Sequence, residues 1–257
     1  AYQTKHFYWG EFRSDNFVPA PGNSGEFASL LGNTLTPQFS ESLQWDELYR
    51  MIMRANMAIE KIPTIPNYNT NALGEAYAAR AYAYFDAYRI WGGVPIFTKV
   101  VSSLGEEAFR VKSTPAEVLE LVLSDLAQAE KLVNVQTNRY RFSVSSVQIF
   151  KAKVLMHENK YADAKVVLDN FMAMNLSTWK FSLANNRDAW AKMFTMATET
   201  GPELIFSLRA TLLEDGPNTS QHNVIFNSGV PPTFISPKVI AKWVAKFPID
   251  KAGWEVK

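Results

Sequence analysis

The chain has 257 residues, a length that suits one large domain or two ordinary ones. Apolar residues make up 47% and charged residues 20%, so the chain can bury a sizeable core, which argues against intrinsic disorder. Lys and Arg number 26 against 25 Asp and Glu, and a formal charge of +1 gives no basic footprint for nucleic acid. No nucleic-acid partner is expected.

Cysteine is absent, which excludes disulfides, thiolate metal sites and a cysteine nucleophile. The histidines His6, His157 and His222 lie far apart and have no metal-ligand spacing. We therefore expect neither a metal nor a cofactor. Because no stretch of about 18 apolar residues occurs, the sequence predicts no transmembrane helix.

Six amphipathic helices are predicted from apolar residues spaced three and four apart. The best start signal is Thr114-Pro115-Ala116-Glu117, where threonine can cap, proline suits the first helical position and Glu117 completes a capping box. Glu158-Asn159-Lys160 is predicted to turn the fourth helix into the fifth. The predicted helices run over about 43–62, 72–90, 114–133, 143–157, 161–174 and from 236 to about 247.

The fourth and fifth helices resemble a tetratricopeptide repeat, because the small Ala152 and Ala164 stand where two helices must pack tightly. Only 203–208 and 223–226 are typical of short strands. The predicted fold class is all-α, with tetratricopeptide-like helical hairpins, long connecting loops and few short strands. We expect a single domain over 1–257, with a helical-repeat core at about 43–174 and a loop-rich part at 175–257.

Aromatic residues on the helical stripes have two interpretations, sugar stacking or core packing, and their spacing favours the core. These residues are Trp45, Tyr77, Tyr84 and Tyr88. The tyrosine hydroxyls are predicted to satisfy Glu75 or Arg80. In the sixth helix, Ile240 and Trp243 are predicted to face inward.

Long loops between the helices hold candidate ligand-binding residues. In the connector after the hairpin, a tryptophan outside any helical stripe is followed by donors and acceptors suited to sugar hydroxyls. That tryptophan either binds ligand or fastens the loop to the hairpin. The later polar run 217–232 either lines a site or packs against another part of the protein. The candidates in these two loops are Trp179, Asn185, Arg187, Asn218 and His222.

The N-terminal loop supplies a second set of candidates, Arg13, Asp15 and Asn16, with Phe27 or Phe39 as an apolar face for a sugar ring. A charged pair beside an amide can make directional hydrogen bonds to vicinal hydroxyls. The alternative is a salt bridge between Arg13 and Asp15 that only fixes the loop.

No catalytic constellation is evident. The adjacent acidic pairs Glu106-Glu107 and Glu214-Asp215 do not give two carboxylates facing each other across a glycosidic bond. The sequence also lacks a G-x-S-x-G nucleophile elbow. We therefore expect that the protein is not an enzyme.

The segment from Asn71 to Pro95, N-A-L-G-E-A-Y-A-A-R-A-Y-A-Y-F-D-A-Y-R-I-W-G-G-V-P, resembles the SusD/RagB family of outer-membrane nutrient-binding lipoproteins. The helix that carries Trp45, Tyr49, Ile52 and Asn56 is similar to the family pattern W-x-x-x-Y-x-x-I-x-x-x-N. The downstream elements occur in the family's order. Related proteins place ligand contacts in the loop before this helix, which favours Arg13, Asp15 and Asn16 as ligand residues.

This resemblance implies a cell-surface protein that captures a glycan or oligosaccharide and passes it to a TonB-dependent, SusC-like transporter in the outer membrane. The alternative is a helical-repeat scaffold that binds a peptide or the transporter without sugar. Family members usually have a lipid-modified cysteine and a longer chain, so we expect a fragment or truncated member. Membrane attachment is expected only through a lipid anchor absent from this chain.

Overall fold

The computed structural model of the protein describes residues 8–19, 26–36, 45–103, 105, 108–134, 139–177, 181–193, 203–207 and 233–246. Two compact units are distinguished, one formed by Ala1–Glu47 with Ala210–Lys257 and the other by Leu48–Arg209. The elements in chain order are β1 (Phe17–Pro19), α1 (Glu26–Leu31), α2 (Asp46–Lys61), α3 (Thr70–Trp91), α4 (Pro115–Leu132), α5 (Val144–His157), α6 (Tyr161–Ser177), α7 (Arg187–Lys192), β2 (Thr233–Ile235) and α8 (Pro237–Lys246).

The predicted fold class is confirmed, because helices dominate the described residues and the strands are short. Helix starts follow the cap residues. The Thr114 side chain accepts from the Glu117 N–H while Glu117 Oε2 accepts from the Thr114 N–H, which completes the predicted capping box before α4. Ser143 and Ser146 form a second box before α5. The single-domain organisation and the 43–174 core remain predictions.

The core of the second unit lies between α3 and α4, which pack along most of their length. The inward face of α4 carries a stripe of Val118, Val122, Leu126 and Ala129, and all four side chains are buried. Gly74 lets the end of α4 approach α3 closely. A Cβ there would lie 2.7 Å from Val133 Cγ1, so a larger residue would separate them.

A tight turn ends α3 and starts the connector that leads to α4. Gly92 caps the helix with a φ of 72° and donates its N–H to Tyr88 O. At Gly93 a Cβ would lie 1.9 Å from Ser113 O. Only glycine therefore lets the two ends of the connector meet at this point.

Helices α5 and α6 form the predicted antiparallel hairpin. Asn159 takes a φ of 57° in the turn, and Lys160 donates its N–H to Leu155 O. Ala152 and Ala164 are both buried, which confirms their place at the tight helix contact.

The first unit contains a two-stranded antiparallel ribbon, in which Phe17 pairs with Ile235 and Pro19 with Thr233. Its described core is a small cluster of Phe12, Leu30 and Leu31, packed by Phe17 and Leu35.

Three sequence predictions about local structure are wrong. Glu203–Ser207 forms no strand, since it is an irregular segment whose backbone bonds to Arg139 O through the Ser207 N–H. Trp45 is exposed, because α2 begins after it at Asp46 and the residue does not follow the helical stripe. Ile240 and Trp243 are exposed, because periodicity identifies an apolar face without identifying what covers it. The predicted strand at 223–226 lies outside the described residues.

Candidate functional site

The sequence-predicted ligand residues fall into three groups. Arg13, Asp15 and Asn16 belong to the first unit, and Asn185 and Arg187 belong to the second. The others lie outside the described residues: Phe39, Trp179, Asn218 and His222.

The N-terminal candidates take part in a hydrogen-bonded surface cluster. The predicted alternative of an Arg13–Asp15 salt bridge is not what the structure contains. Arg13 Nε lies 3.5 Å from Asn33 Oδ1, and its guanidinium lies 5.7 Å from the centre of the Trp9 ring. Asn16 Nδ2 donates to Glu11 Oε2 at 3.4 Å. The Asp15 carboxylate is exposed and has no partner among the described residues.

The other candidates lie in the segment Phe181–Met193, which is fixed to the helical hairpin at its first residue. Phe181 stacks on Phe171 with ring centres 6.0 Å apart, and the Arg139 guanidinium lies 5.7 Å from the centre of the Phe181 ring. The Ala184 N–H donates to Glu203 Oε1 at 2.6 Å. These contacts give the segment a defined backbone position.

Helix α7 follows these contacts, and the residues at its start are polar and exposed. Asn186 caps α7 by accepting from the Ala189 N–H at 2.8 Å, and its amide donates to Asn185 Oδ1. An open depression of about 500 Å³ is lined by Asn186, Arg187, Asp188 and Ala189. The Arg187 and Asp188 side chains are exposed to solvent.

Trp190 follows on the same short helix, and its side chain is 54% exposed. Leu183 of the same segment is 83% exposed, so the segment carries two exposed apolar side chains. Trp190 is not among the residues predicted from the sequence. The pattern N-N-R-D at 185–188 indicates the start of a helix, and a helix that is too short for an apolar stripe leaves Trp190 without a predicted place in the core.

A second polar constellation is buried in the helical bundle and has its partners within the protein. Arg80 donates from Nε and Nη2 to the two oxygens of Asp125, at 2.8 and 2.7 Å. It also donates from Nη1 to Asn56 Oδ1 and to Thr98 O. Burial raises the pKa of the Asp125 carboxyl, and the hydrogen bonds from Arg80 oppose that rise.

The tyrosines near this network hold the connector after α3. Tyr84 Oη donates to Phe97 O and accepts from the Phe97 N–H, and burial raises the pKa of Tyr84 to about 12. Tyr49 Oη donates to Pro95 O, and Asn56 Nδ2 donates to the carbonyls of Phe97 and Lys99.

These contacts correct one prediction, because the Tyr84 hydroxyl bonds to the backbone of Phe97 and the Tyr88 hydroxyl donates to Glu158. Glu75 is paired instead with Arg141 and Asn71, and Arg80 with Asp125.

A third cluster lies at the surface where α3 meets the end of α5. Tyr88 Oη donates to Glu158 Oε1 at 2.7 Å, and His157 Nδ1 lies 3.0 Å from the same oxygen. The hydrogen bond to Glu158 and partial burial raise the pKa of Tyr88 to about 12. The cluster's polar atoms contact each other, so it offers fewer ligand groups than the Phe181–Met193 segment.

The described residues contain neither a cluster of metal-ligating side chains nor a membrane-spanning helix. Across the described residues, no three His, Asp or Glu side chains converge as they would around a metal ion. None of the helices in the described part of the chain has the length and apolarity that a membrane span requires.

The comparisons with known proteins identify the family. A protein-family model described as "Starch-binding associating with outer membrane" matches residues 2–156. The SusD-like protein P38 of Formosa agariphila is 46% identical over 265 residues, which cover 100% of this chain and 52% of the relative. The chain belongs to the SusD-like family. It spans about half the length of this curated relative.

Solved structures give the same fold. A SusD superfamily protein of Bacteroides thetaiotaomicron has a TM-score of 0.79 at 19% identity, over 96% of this chain and 57% of that one. A structure described as a laminarin-binding SusD-like protein has a TM-score of 0.64 at 21% identity, over 76% of this chain and 44% of that one. SusD-like proteins are glycan-binding proteins that associate with the outer membrane, and the family is one of binding proteins.

Proposed function

We propose that this SusD-like chain captures an oligosaccharide without chemical change and delivers it to a TonB-dependent transporter in the outer membrane. The proposed contact surface is the segment Phe181–Met193. Asn185, Arg187 and Trp190 are its proposed ligand residues. The proposed location is the cell surface, with attachment through a lipid anchor in the whole protein.

The observation that carries this proposal is an exposed Trp190 directly after the four residues that line an open depression. An indole face lies well against the apolar C–H face of a pyranose ring. At the depression, the Arg187 guanidinium supplies donors and the Asp188 carboxylate supplies acceptors, and the exposed Asn185 amide directly precedes the lining residues. An open depression also suits a chain-like ligand better than a small molecule, which usually needs a deep pocket.

The same surface supports binding without hydrolysis. A glycosidase needs two carboxyl groups about 5 to 9.5 Å apart across the scissile bond. Among the described residues that line the depression, Asp188 is the one that carries a carboxylate. The described lining therefore offers one carboxylate where cleavage would require two, which supports capture without hydrolysis.

The N-terminal cluster is the second proposed position. Its Trp9 ring, exposed Asp15 and exposed Arg13 offer a comparable combination of aromatic and polar groups. Asn16 is less accessible for ligand, because its amide donates to Glu11 and its carbonyl accepts from the Ser236 N–H. This cluster therefore ranks behind the Phe181–Met193 segment.

The proposal is tested by titrating the folded chain with a panel of polysaccharides by calorimetry and affinity electrophoresis. Laminarin is the first glycan to test, because a structural neighbour is described as laminarin binding. We expect saturable binding with no release of reducing ends. Trp190→Ala should weaken binding at least tenfold, whereas Trp45→Ala, a control at another exposed tryptophan, should change it less than twofold.

Other outcomes would redirect the proposal. Release of reducing ends would contradict capture without catalysis. Loss of affinity in Asp15→Ala/Asn16→Ala, with Trp190→Ala unaffected, would move the site to the N-terminal cluster. A folded chain that binds none of the glycans would favour the interaction scaffold, which the exposed Tyr161, Val166 and Met172 of the helical hairpin would suit.

A further inference from the structure

Helix α8 is a short basic amphipathic helix that the proposed glycan site does not use. Its sequence, P-K-V-I-A-K-W-V-A-K, has no acidic residue and places Lys238, Lys242 and Lys246 four residues apart. At about 100° per residue, the lysines fall within an arc of about 80°. Ile240, Trp243 and Val244 fall within an arc of about 100° whose centre lies about 150° away.

The apolar face of this helix is turned to solvent. Ile240 is 50% exposed and Trp243 is 65% exposed, and no residue of α8 is buried. The three lysines are exposed as well. A contiguous apolar face of this kind on a surface helix marks an interaction site.

The start of the helix is held in place. Ser236 is buried, donates its N–H to Asn16 O at 2.8 Å and accepts from the Val239 and Ile240 N–H groups. Residues 233–235 before it form the strand paired with β1. The helix is thus fixed to its unit at one end while its apolar face and its lysines remain accessible.

We propose that α8 binds the surface of a membrane that carries anionic lipids. The apolar face would lie at the boundary of headgroups and acyl chains, where a tryptophan is well accommodated, and the lysines would contact anionic headgroups. Charge decides between this partner and a second copy of the chain. With three lysines and no acidic residue, α8 carries a positive charge that anionic headgroups complement and that a second copy of the same helix would repel.

The experiment measures co-sedimentation of the full chain with large unilamellar vesicles, of either pure phosphatidylcholine or a 7:3 mixture with phosphatidylglycerol. We expect binding to the mixed vesicles only, with a partition coefficient that falls as salt is raised. The vesicles contain no glycan, so the result does not depend on the proposed function.

Two variants test the two faces, with folding checked by circular dichroism and thermal melting. Ile240→Ser/Trp243→Ser removes the apolar face, and Lys238→Gln/Lys242→Gln/Lys246→Gln removes the charge. Each should lower the partition coefficient at least tenfold. The matched control Lys131→Gln/Lys160→Gln/Lys165→Gln changes the net charge equally at exposed positions outside α8 and should alter it less than twofold.

Three results would overturn the proposal. The first is no binding of the wild-type chain to the mixed vesicles. The second is an equal loss in the control variant, which would indicate a net-charge effect. The third is a concentration-dependent dimer in sedimentation velocity that Ile240→Ser/Trp243→Ser abolishes while vesicle binding is unchanged, which would assign the face to a second copy.

Discussion

Two arginines of this chain have opposite surroundings. Arg80 in α3 is 5% exposed and donates to Asp125, Asn56 and Thr98 O. Arg187 at the start of α7 is exposed at the open depression, three residues before Trp190. Arg80 lies near the Tyr77 ring and the Asp125 carboxylate in space, and Arg187 lies near Trp190 and Asp188 in sequence. The difference is that the protein itself supplies every group Arg80 needs, whereas Arg187 remains available for a ligand.

The comparison separates residues that hold the fold from residues that are proposed to bind a ligand. Tyr49, Asn56, Arg80 and Tyr84, which belong to the family pattern, hold the connector after α3 through its carbonyls. These residues therefore stabilise the fold. The proposed ligand groups lie on a short helix outside that pattern, where substitutions would leave the bundle intact.

The largest expected effect is from Arg80→Ala, which leaves the Asp125 carboxylate buried without its partner. We expect a loss of about 3 to 5 kcal/mol in the free energy of unfolding, measured by denaturant titration. Arg187→Ala should change it by less than about 0.5 kcal/mol. If Arg80→Ala unfolds like wild type but loses glycan affinity, the roles assigned to the two arginines are reversed.

A smaller effect is expected from Tyr84→Phe, which removes the hydroxyl that both donates to and accepts from Phe97. At pH 8 the variant should be less stable by about 1 to 3 kcal/mol. The folded-state pKa of Tyr84, raised to about 12, lies above its unfolded value near 10. The hydroxyl's contribution is therefore complete below pH 10 and falls as the pH rises toward 12.

This pH dependence is checked by urea titrations of both proteins at pH 8, 10 and 11. The stability difference between them should narrow above pH 10. A constant difference across this range would mean that Tyr84 is not protected from ionisation by the fold.

At the exposed depression, Arg187→Ala should weaken glycan binding at least tenfold, which is about 1.4 kcal/mol of binding free energy. The melting temperature should stay unchanged. The physical reason is the loss of a charged donor at the depression. Calorimetry with the glycan that binds wild type provides the measurement, and Arg54→Ala, an exposed arginine on α2, is the control. Equal affinity in both variants would remove Arg187 from the site.

The smallest effect is expected from Asn186→Ala, which deletes the cap of α7. The local helix should lose about 1 kcal/mol, seen as faster hydrogen exchange of its amides, with global stability nearly unchanged. Asn170→Ala, at an exposed position within α6, serves as the control. Unchanged exchange in α7 would mean that the cap does not hold Trp190 in place.

The sequence predicts the helices well because their signals are local. The capping residues Thr114 and Ser143 precede α4 and α5 as predicted, and Gly92 ends α3. The pairing of β1 with β2 joins residues more than two hundred positions apart, and no local pattern signals it. The Arg80–Asp125 pair has the same difficulty, because its partners are 45 residues apart.

Exposure was the other property that the sequence left open. The apolar stripe of α8 identifies one face of the helix, but it does not show that this face is exposed to solvent. Trp190 lies on a helix of six residues, which is too short for an apolar stripe to indicate its burial or exposure. The polar connector predicts Asn185 and Arg187 as ligand residues; Asn185 precedes the cap of α7, and Arg187 is the first residue of α7 and lines the depression. Their part in ligand binding remains a prediction.

Hydroxyl-radical footprinting, read by mass spectrometry with and without the bound glycan, tests the central claim most directly. It reports on the exposed tryptophans of the intact protein without any substitution. The account predicts that glycan protects Trp190 from oxidation at least severalfold while Trp45 and Trp243, also exposed, are oxidised at unchanged rates. Protection at Trp9 with Trp190 unaffected would contradict it and place the ligand at the N-terminal cluster.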